Sequence, residues 1–243
     1  DVARVERDER ALAAQRAAAQ AREARLWHAV ASQLAHADDE REPGLSREDE
    51  GAEEPTTAHA GDPPDRDRRI AMAAGSAVHA ALEHADFAAS ASELAAHGER
   101  AIASALAALG PADEREAAER RARAIWQRAC AGPLLERLRA LAPRIVAREL
   151  PVLLDPAQLA LGDDAPVGFI SGAIDLLYRD EAGALVVADY KTDDVAGRSL
   201  SELRAHYAPQ GSAYVTAVQR ALALPAPTRF ELWFLQAGIV ESA

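Results

Sequence analysis

Apolar residues recur every three or four positions between residues 70 and 85, the spacing of a helix that rests one face on a core. The stripe consists of Ile70, Ala74, Ala77, Val78, Ala81, Leu82 and Ala85. Similar patterns predict helices at about 90–109 and about 113–141, the second interrupted at Gly132 and Pro133. This part of the chain is therefore expected to begin with several helices.

The hydrophobic pattern changes near residue 144. Apolar and β-branched stretches predict three strands, followed by a helix and a last strand, and no internal repeat is visible. The predicted bounds are 144–154, 167–178 and 184–190 for the strands, about 199–222 for the helix and 229–235 for the last strand. This order predicts an α/β fold in which helices flank a mixed sheet.

Two segments with different compositions precede this region. Residues 1–37 are rich in Ala, Arg, Gln and Glu with few apolar points, which predicts a helix, either a solvated connector or a docking helix for an upstream domain. Residues 38–67 are acidic and rich in Pro and Gly, which favours a disordered linker. We therefore expect three parts, with the folded domain at 68–243.

The net charge of the chain is −12, and much of it lies in the linker, where residues 38–65 hold eleven acidic and two basic residues. An acidic chain is expected to bind nucleic acid weakly by itself. No apolar run is long enough for a membrane span, and the first residues lack an export signal, so we expect a cytoplasmic protein without a membrane partner. The lone Cys130 excludes an internal disulfide and a four-cysteine zinc or iron–sulfur site. Asp at position 1 suggests a processed product or a piece of a longer polypeptide.

A predicted hairpin brings two carboxylates together. If Gly183 is the left-handed residue of a turn at 181–183, Asp180 faces Ala184. The same register places Asp175 opposite Asp189, on one face with Cβ atoms about 4.5–5.5 Å apart. Such like charges repel, and a divalent cation would compensate them.

Carboxylate ligands without thiolates favour Mg²⁺ or Mn²⁺. Lys191, the only lysine of the chain, shares the face of Asp189, whereas the Tyr190 side chain is predicted to point into the core. A lysine beside a metal can stabilise charge that develops on a phosphate. The alternative is an exposed hairpin with solvated acids and a surface ion pair.

Weaker signals occur on both sides of this hairpin. On the first helix, Gly75 and His79 are one turn apart, with room for close approach and an imidazole able to bind metal. On the later helix, Gln210 and Tyr214 are also one turn apart and could hold a nucleic-acid backbone. Thr192 adds a hydroxyl at the strand end. Taken singly, each is also compatible with ordinary packing.

In order, these motifs are G-x-x-x-H on a helix, G-x-I-D and D-Y-K-T on paired strands, and Q-x-x-x-Y on a helix. Over about residues 68–243 they closely resemble the RecB-like branch of the PD-(D/E)XK nuclease superfamily, and most closely the C-terminal nuclease domains of AddA and RecB type helicase–nucleases. The resemblance implies a restriction-endonuclease-like core of α-β-β-β-α-β order. It thus agrees with the order read from the hydrophobic pattern.

The resemblance also implies roles for individual residues. His79, Asp175, Asp189 and the Tyr190 carbonyl would ligate Mg²⁺ or Mn²⁺, Lys191 would be catalytic, and Gln210 and Tyr214 would support the site and contact DNA. The four cysteines of iron–sulfur relatives are absent from the sequence, and so is a Walker A motif, since Lys191 is the only lysine. Glu149 could add a ligand, although a solvated carboxylate is the favoured reading.

We therefore expect a Mg²⁺-dependent deoxyribonuclease, an exonuclease rather than an endonuclease, that serves a helicase domain or partner subunit in double-strand-break repair and recombination. Two alternatives remain. One is a non-catalytic DNA-binding or assembly module with a nuclease fold, and the other is a stand-alone repair or restriction nuclease.

Overall fold

The computed structural model describes residues 14–16, 28–36, 65–159, 168–195 and 197–242. The helices are α1 (Ala31–His36), α2 (Arg66–Glu83), α3 (Ala91–Leu106), α4 (Ala112–Ala131), α5 (Pro133–Leu141) and α6 (Leu200–Ala221). The strands are β1 (His28–Val30), β2 (Ile145–Leu154), β3 (Phe169–Arg179), β4 (Leu185–Lys191), β5 (Arg229–Phe234) and β6 (Ile239–Ser242).

The strands form one mixed sheet in the order β1-β3-β4-β5-β6, with β2 also paired to β3. The β2–β3, β3–β4 and β5–β6 pairs are antiparallel, whereas β1–β3 and β4–β5 are parallel. Helix α6 connects the parallel strands β4 and β5, as a crossover connection requires. The predicted α/β class and mixed sheet are confirmed.

Two apolar layers cover the two faces of the sheet. Helices α2–α5 pack in one layer, and α1 and α6 pack in the other. Strand β4 alternates between them, because Val186, Ala188 and Tyr190 belong to the first layer and Val187 to the second. Among the described helices, none combines the length and apolarity needed to cross a bilayer.

The predicted hairpin has the expected register. Strands β3 and β4 pair Leu176 with Ala188, and Gly183 in the turn has a φ of +84°. The Asp180 carboxylate accepts hydrogen bonds from the Ala182 and Ala184 amides, which closes the turn. The predicted break between two helices is also confirmed, since α4 ends one residue before Gly132 and α5 starts one residue after it.

The prediction of a helix throughout residues 1–37 is wrong at 28–30, which form β1. This strand pairs in parallel with the start of β3, and the His28 ring lies 2.7 Å from the Ser171 hydroxyl. Three residues are too few to give a strand periodicity, and parallel pairing with a segment some 140 positions later leaves no local signal. The predicted acidic linker lies outside the described residues except at its end, where α2 already begins at Arg66. The domain bounds at 37 and 67 stay predictions.

Helix α6 approaches the sheet closely because it carries a glycine there. A Cβ atom on Gly211 would lie 2.4 Å from the Phe230 ring, well inside van der Waals contact. The glycine therefore fixes the distance between β5 and the helix turn that contains Gln210.

Gly211→Ala is expected to destabilise the protein by about 1–3 kcal/mol, because the added methyl group overpacks the interface with Phe230. Gly110→Ala is the matched control, since a Cβ there meets nothing within 4 Å. Urea unfolding of both variants measures the difference. Equal stability of the two variants would contradict the close packing.

Candidate active site

Three potential metal ligands from three different elements lie close together where α2 packs on β2 and β3. His79 on α2, Glu149 on β2 and Asp175 on β3 each place a ligand atom within 4.8 Å of the others. His79 Nδ1 lies 3.0 Å from Asp175 Oδ1 and 3.7 Å from Glu149 Oε1. Imidazole nitrogen and carboxylate oxygen are donors suited to a divalent cation.

Gly75 explains how α2 comes close enough to deliver His79. A Cβ atom on Gly75 would lie 3.0 Å from the Thr192 hydroxyl oxygen, tighter than ordinary contact. The helix therefore rests directly on the end of β4, and His79, one turn further along, faces the hairpin carboxylates. The predicted role of Gly75 as a close-approach residue agrees with this geometry.

Glu149 is the site residue that sequence reasoning undervalued. The β2–β3 register, in which Arg148 pairs with Leu176 and Leu150 with Ile174, places Glu149 opposite Asp175. Its φ of +44° is rare for a residue with a side chain and marks a strained position of the kind found at functional sites. Glu149 is therefore a half-buried member of the cluster, with its side chain 24% exposed.

Arg148 ties β2 to the end of α2. Its guanidinium donates hydrogen bonds to the Glu83 and Ala85 carbonyls at 3.0 and 2.6 Å, and lies 4.3 Å from the Phe87 ring centroid. A cation at a helix C-terminus satisfies carbonyls that lack helical partners. This contact anchors the strand residue beside Glu149 to the helix that carries His79.

The hairpin carboxylates are buried rather than exposed. Asp175, Asp189 and Lys191 are 5%, 3% and 4% exposed, so the alternative of a solvated surface hairpin is wrong. The Tyr190 amide donates to Asp175 Oδ2 at 2.5 Å, and Lys191 Nζ lies 3.0 Å from Asp189 Oδ2. The Tyr190 side chain packs into the core as predicted, edge-on to the His79 ring.

Helix α6 completes the surroundings of Lys191. Lys191 Nζ donates to Gln210 Oε1 at 2.9 Å, and Gln210 Nε2 lies 3.4 Å from the Tyr214 hydroxyl oxygen. The Tyr207 ring centroid is 4.0 Å from the same ammonium, and the Tyr207 hydroxyl donates to the buried Asp193 carboxylate. The sequence predicted that Gln210 and Tyr214 act together. It did not predict that Tyr207 contacts Lys191 or that Asp193 accepts the hydrogen bond of the Tyr207 hydroxyl.

Electrostatics couple His79 to the carboxylates. Burial acts to lower the pKa of His79, but the charge and hydrogen bond of Asp175, together with Glu149, outweigh it and raise the pKa well above its usual value. Burial acts to raise the pKa of Asp175, but His79 and the Tyr190 amide leave that pKa below its usual value. Burial, then the charges of Asp189 and Asp175, raise the pKa of Tyr214, so its phenol stays protonated.

Of the predicted site residues, His79 and Asp175 lie in the cluster, and the Tyr190 amide connects β4 to Asp175. Asp189, Lys191, Gln210 and Tyr214 form an adjoining chain of contacts. Their roles as ligands, catalytic group and DNA contacts stay predictions.

Among the other histidines with described side chains, His97 and His84 bond to backbone carbonyls, His28 bonds to Ser171, and the His206 ring lies edge-on to the Tyr207 ring. His59 lies outside the described residues, as does the side chain of His36.

The α/β fold and this cluster of carboxylates, histidine and lysine define a class, that of restriction-endonuclease-like nucleases. Residues 46–243 match the profile of the PD-(D/E)XK nuclease superfamily. The match covers most of the chain, which therefore belongs to this superfamily. No curated protein matches the chain.

In the metal-free protein, NMR titration should show the His79 ring titrating with a midpoint above 6.5. The His79–Asp175 pair then stabilises the fold fully between about pH 4, where Asp175 is ionised, and about pH 6.5, and this contribution is lost as the pH rises through the folded-state pKa of His79. Asp175→Asn should lower the midpoint, because it removes the main opposing charge. Glu181→Gln, at the exposed tip of the same hairpin, is the control and should leave it unchanged. A wild-type midpoint at or below 6.5 would contradict the pairing.

Proposed function

We propose that this chain is a metal-dependent DNA nuclease that hydrolyses phosphodiester bonds. The observation that carries the proposal is the cluster of His79, Glu149 and Asp175 beside the buried Asp189–Lys191 pair, in a member of the PD-(D/E)XK superfamily. Carboxylates and imidazole within reach of one ion, with an ammonium beside them, form a set suited to an anionic phosphate substrate.

The donor set fits Mg²⁺ or Mn²⁺, because the clustered donors are oxygens and one nitrogen and include no thiolate. His79, Asp175 and Glu149 would hold the ion, with Asp189 and the Tyr190 carbonyl as the further ligands that the family resemblance implies. The chemistry supplied by an ion bound there is activation of water and neutralisation of phosphate charge.

The remaining roles belong to side chains of the chain itself. Lys191, held by Asp189 and Gln210, would place its ammonium against the negative charge that develops on the phosphate. Tyr214 is 3% exposed and keeps its proton, so its role is to support the site through Gln210 rather than to contact DNA directly. Gln210 connects the two, since its amide contacts Lys191 and Tyr214.

The finer proposal places the chain in the RecB-like branch, as the nuclease module of a helicase–nuclease with exonuclease activity in double-strand-break repair and recombination. It is supported by the ordered motifs from His79 to Tyr214. The acidic net charge favours delivery of the DNA by a tethered motor or partner subunit. The burial of Asp175, Asp189 and Lys191 argues against a non-catalytic module, because such a module gains nothing from holding these charges together.

The full chain should degrade single- or double-stranded DNA with Mg²⁺ or Mn²⁺, as measured by release of acid-soluble nucleotide. Asp175→Asn and Asp189→Asn should abolish activity, and Lys191→Ala should lower it by at least about a hundredfold through loss of charge stabilisation. The full chain is used because β1 and α1 pack on the sheet.

Glu181→Gln is the matched control, since it removes a carboxylate from the exposed hairpin tip and should retain wild-type activity. Activity of Asp189→Asn or Lys191→Ala equal to that of the control would overturn the assignment.

Calorimetry with Mn²⁺ should show specific binding near pH 7 that Asp175→Asn abolishes. The ion must displace the proton that the raised pKa holds on His79, so the measured heat should change with the ionisation enthalpy of the buffer. A non-catalytic module without a metal site would release or absorb no heat of Mn²⁺ binding in any buffer.

A further inference from the structure

Tyr207 contacts the one lysine of the chain with its ring face. It lies on α6, fully buried, and its ring centroid is 4.0 Å from Lys191 Nζ. The aromatic face carries negative potential, so it attracts a cation placed over it. Buried tyrosines usually pack against apolar groups, whereas this ring turns its face to an ammonium.

The Tyr207 ring is itself held in place. Its hydroxyl donates a hydrogen bond to the carboxylate of Asp193, which is 2% exposed and follows Lys191 by two residues. The same short segment therefore supplies both the cation above the ring and the anion at its hydroxyl end. A phenylalanine could fill the space but would lose the second contact.

Lysine needs such support because its four-carbon stem is flexible. Asp189 Oδ2 and Gln210 Oε1 contact the ammonium at 3.0 and 2.9 Å, and the Tyr207 ring covers a further side. The ring excludes water from that side, which strengthens the two polar contacts. The three groups together restrict the ammonium to one location beside Asp189.

We propose that Tyr207 is a positioning residue for Lys191, and that it acts through the face of its aromatic ring. The inference rests on the proposed nuclease function, in which Lys191 stabilises charge on the phosphate. In this role Tyr207 acts through Lys191.

Kinetics of two variants test this role, because Tyr207→Phe keeps the aromatic face and Tyr207→Leu removes it. Tyr207→Leu should lower kcat by roughly tenfold or more with little change in KM for DNA, since only the placement of Lys191 changes. Tyr207→Phe should restore most of kcat. Leu203→Ala, which removes a buried side chain one turn earlier on α6, is the control for lost stability and should keep its kcat. Equal loss of kcat in all three variants would overturn the proposal in favour of simple packing.

A spectroscopic readout separates this inference from the proposed function. Because Lys191 is the only lysine, the full chain with ¹³C-labelled lysine gives a single Hε/Cε signal. The ring face should shift the Hε signal upfield in the wild type and in Tyr207→Phe, and the shift should vanish in Tyr207→Leu. An unshifted wild-type signal would overturn the contact. A shifted signal in a wild type that cleaves no DNA would support the contact and overturn the nuclease function instead.

Discussion

The carboxylates of the site require positive charge nearby. The two groups that supply it, His79 and Lys191, depend on the packing of helices on both faces of the sheet. Glu149 and Asp175 belong to one cluster, and Asp189 lies on the neighbouring strand β4. Two unit charges 5 Å apart repel by roughly 3 kcal/mol at an effective dielectric of about 20. His79 and Lys191 provide the compensation in the absence of a metal, one beside Asp175 and the other beside Asp189. A divalent cation would take over part of this role and release the proton that His79 holds.

The two compensating groups depend on helices from opposite faces of the sheet. Helix α2 delivers His79 from one layer, and α6 supports Lys191 through Gln210 from the other. Both helices approach closely through a glycine, Gly75 against Thr192 and Gly211 against the Phe230 ring. The site therefore depends on packing distances that a single methyl group would change, although neither glycine touches a ligand atom.

Sequence reasoning succeeded where the determinants are local. The glycine turn at Gly183 fixes the β3–β4 register, and the predicted register agrees with the observed pairing of Leu176 with Ala188, next to Asp175 and Asp189. It failed where partners are distant in sequence. Glu149 joins the site only through the pairing of β2 with β3, and the segment between these strands gives no turn signal that sets their register. The Tyr207–Asp193 bond likewise connects a helix to the end of a strand, and no periodicity predicts it.

Lys191 is the one position of the chain where lysine stands instead of arginine, and its surroundings explain the choice. A guanidinium is planar and presents five N–H donors, which would all require acceptors in a buried location. The Lys191 ammonium contacts one oxygen of Asp189, one oxygen of Gln210 and the aromatic face of Tyr207. A compact ammonium satisfies these contacts, whereas an arginine would force buried donors against the ring or displace α6. In the proposed hydrolysis, the same compactness would let the ammonium approach a single phosphate oxygen as a point charge.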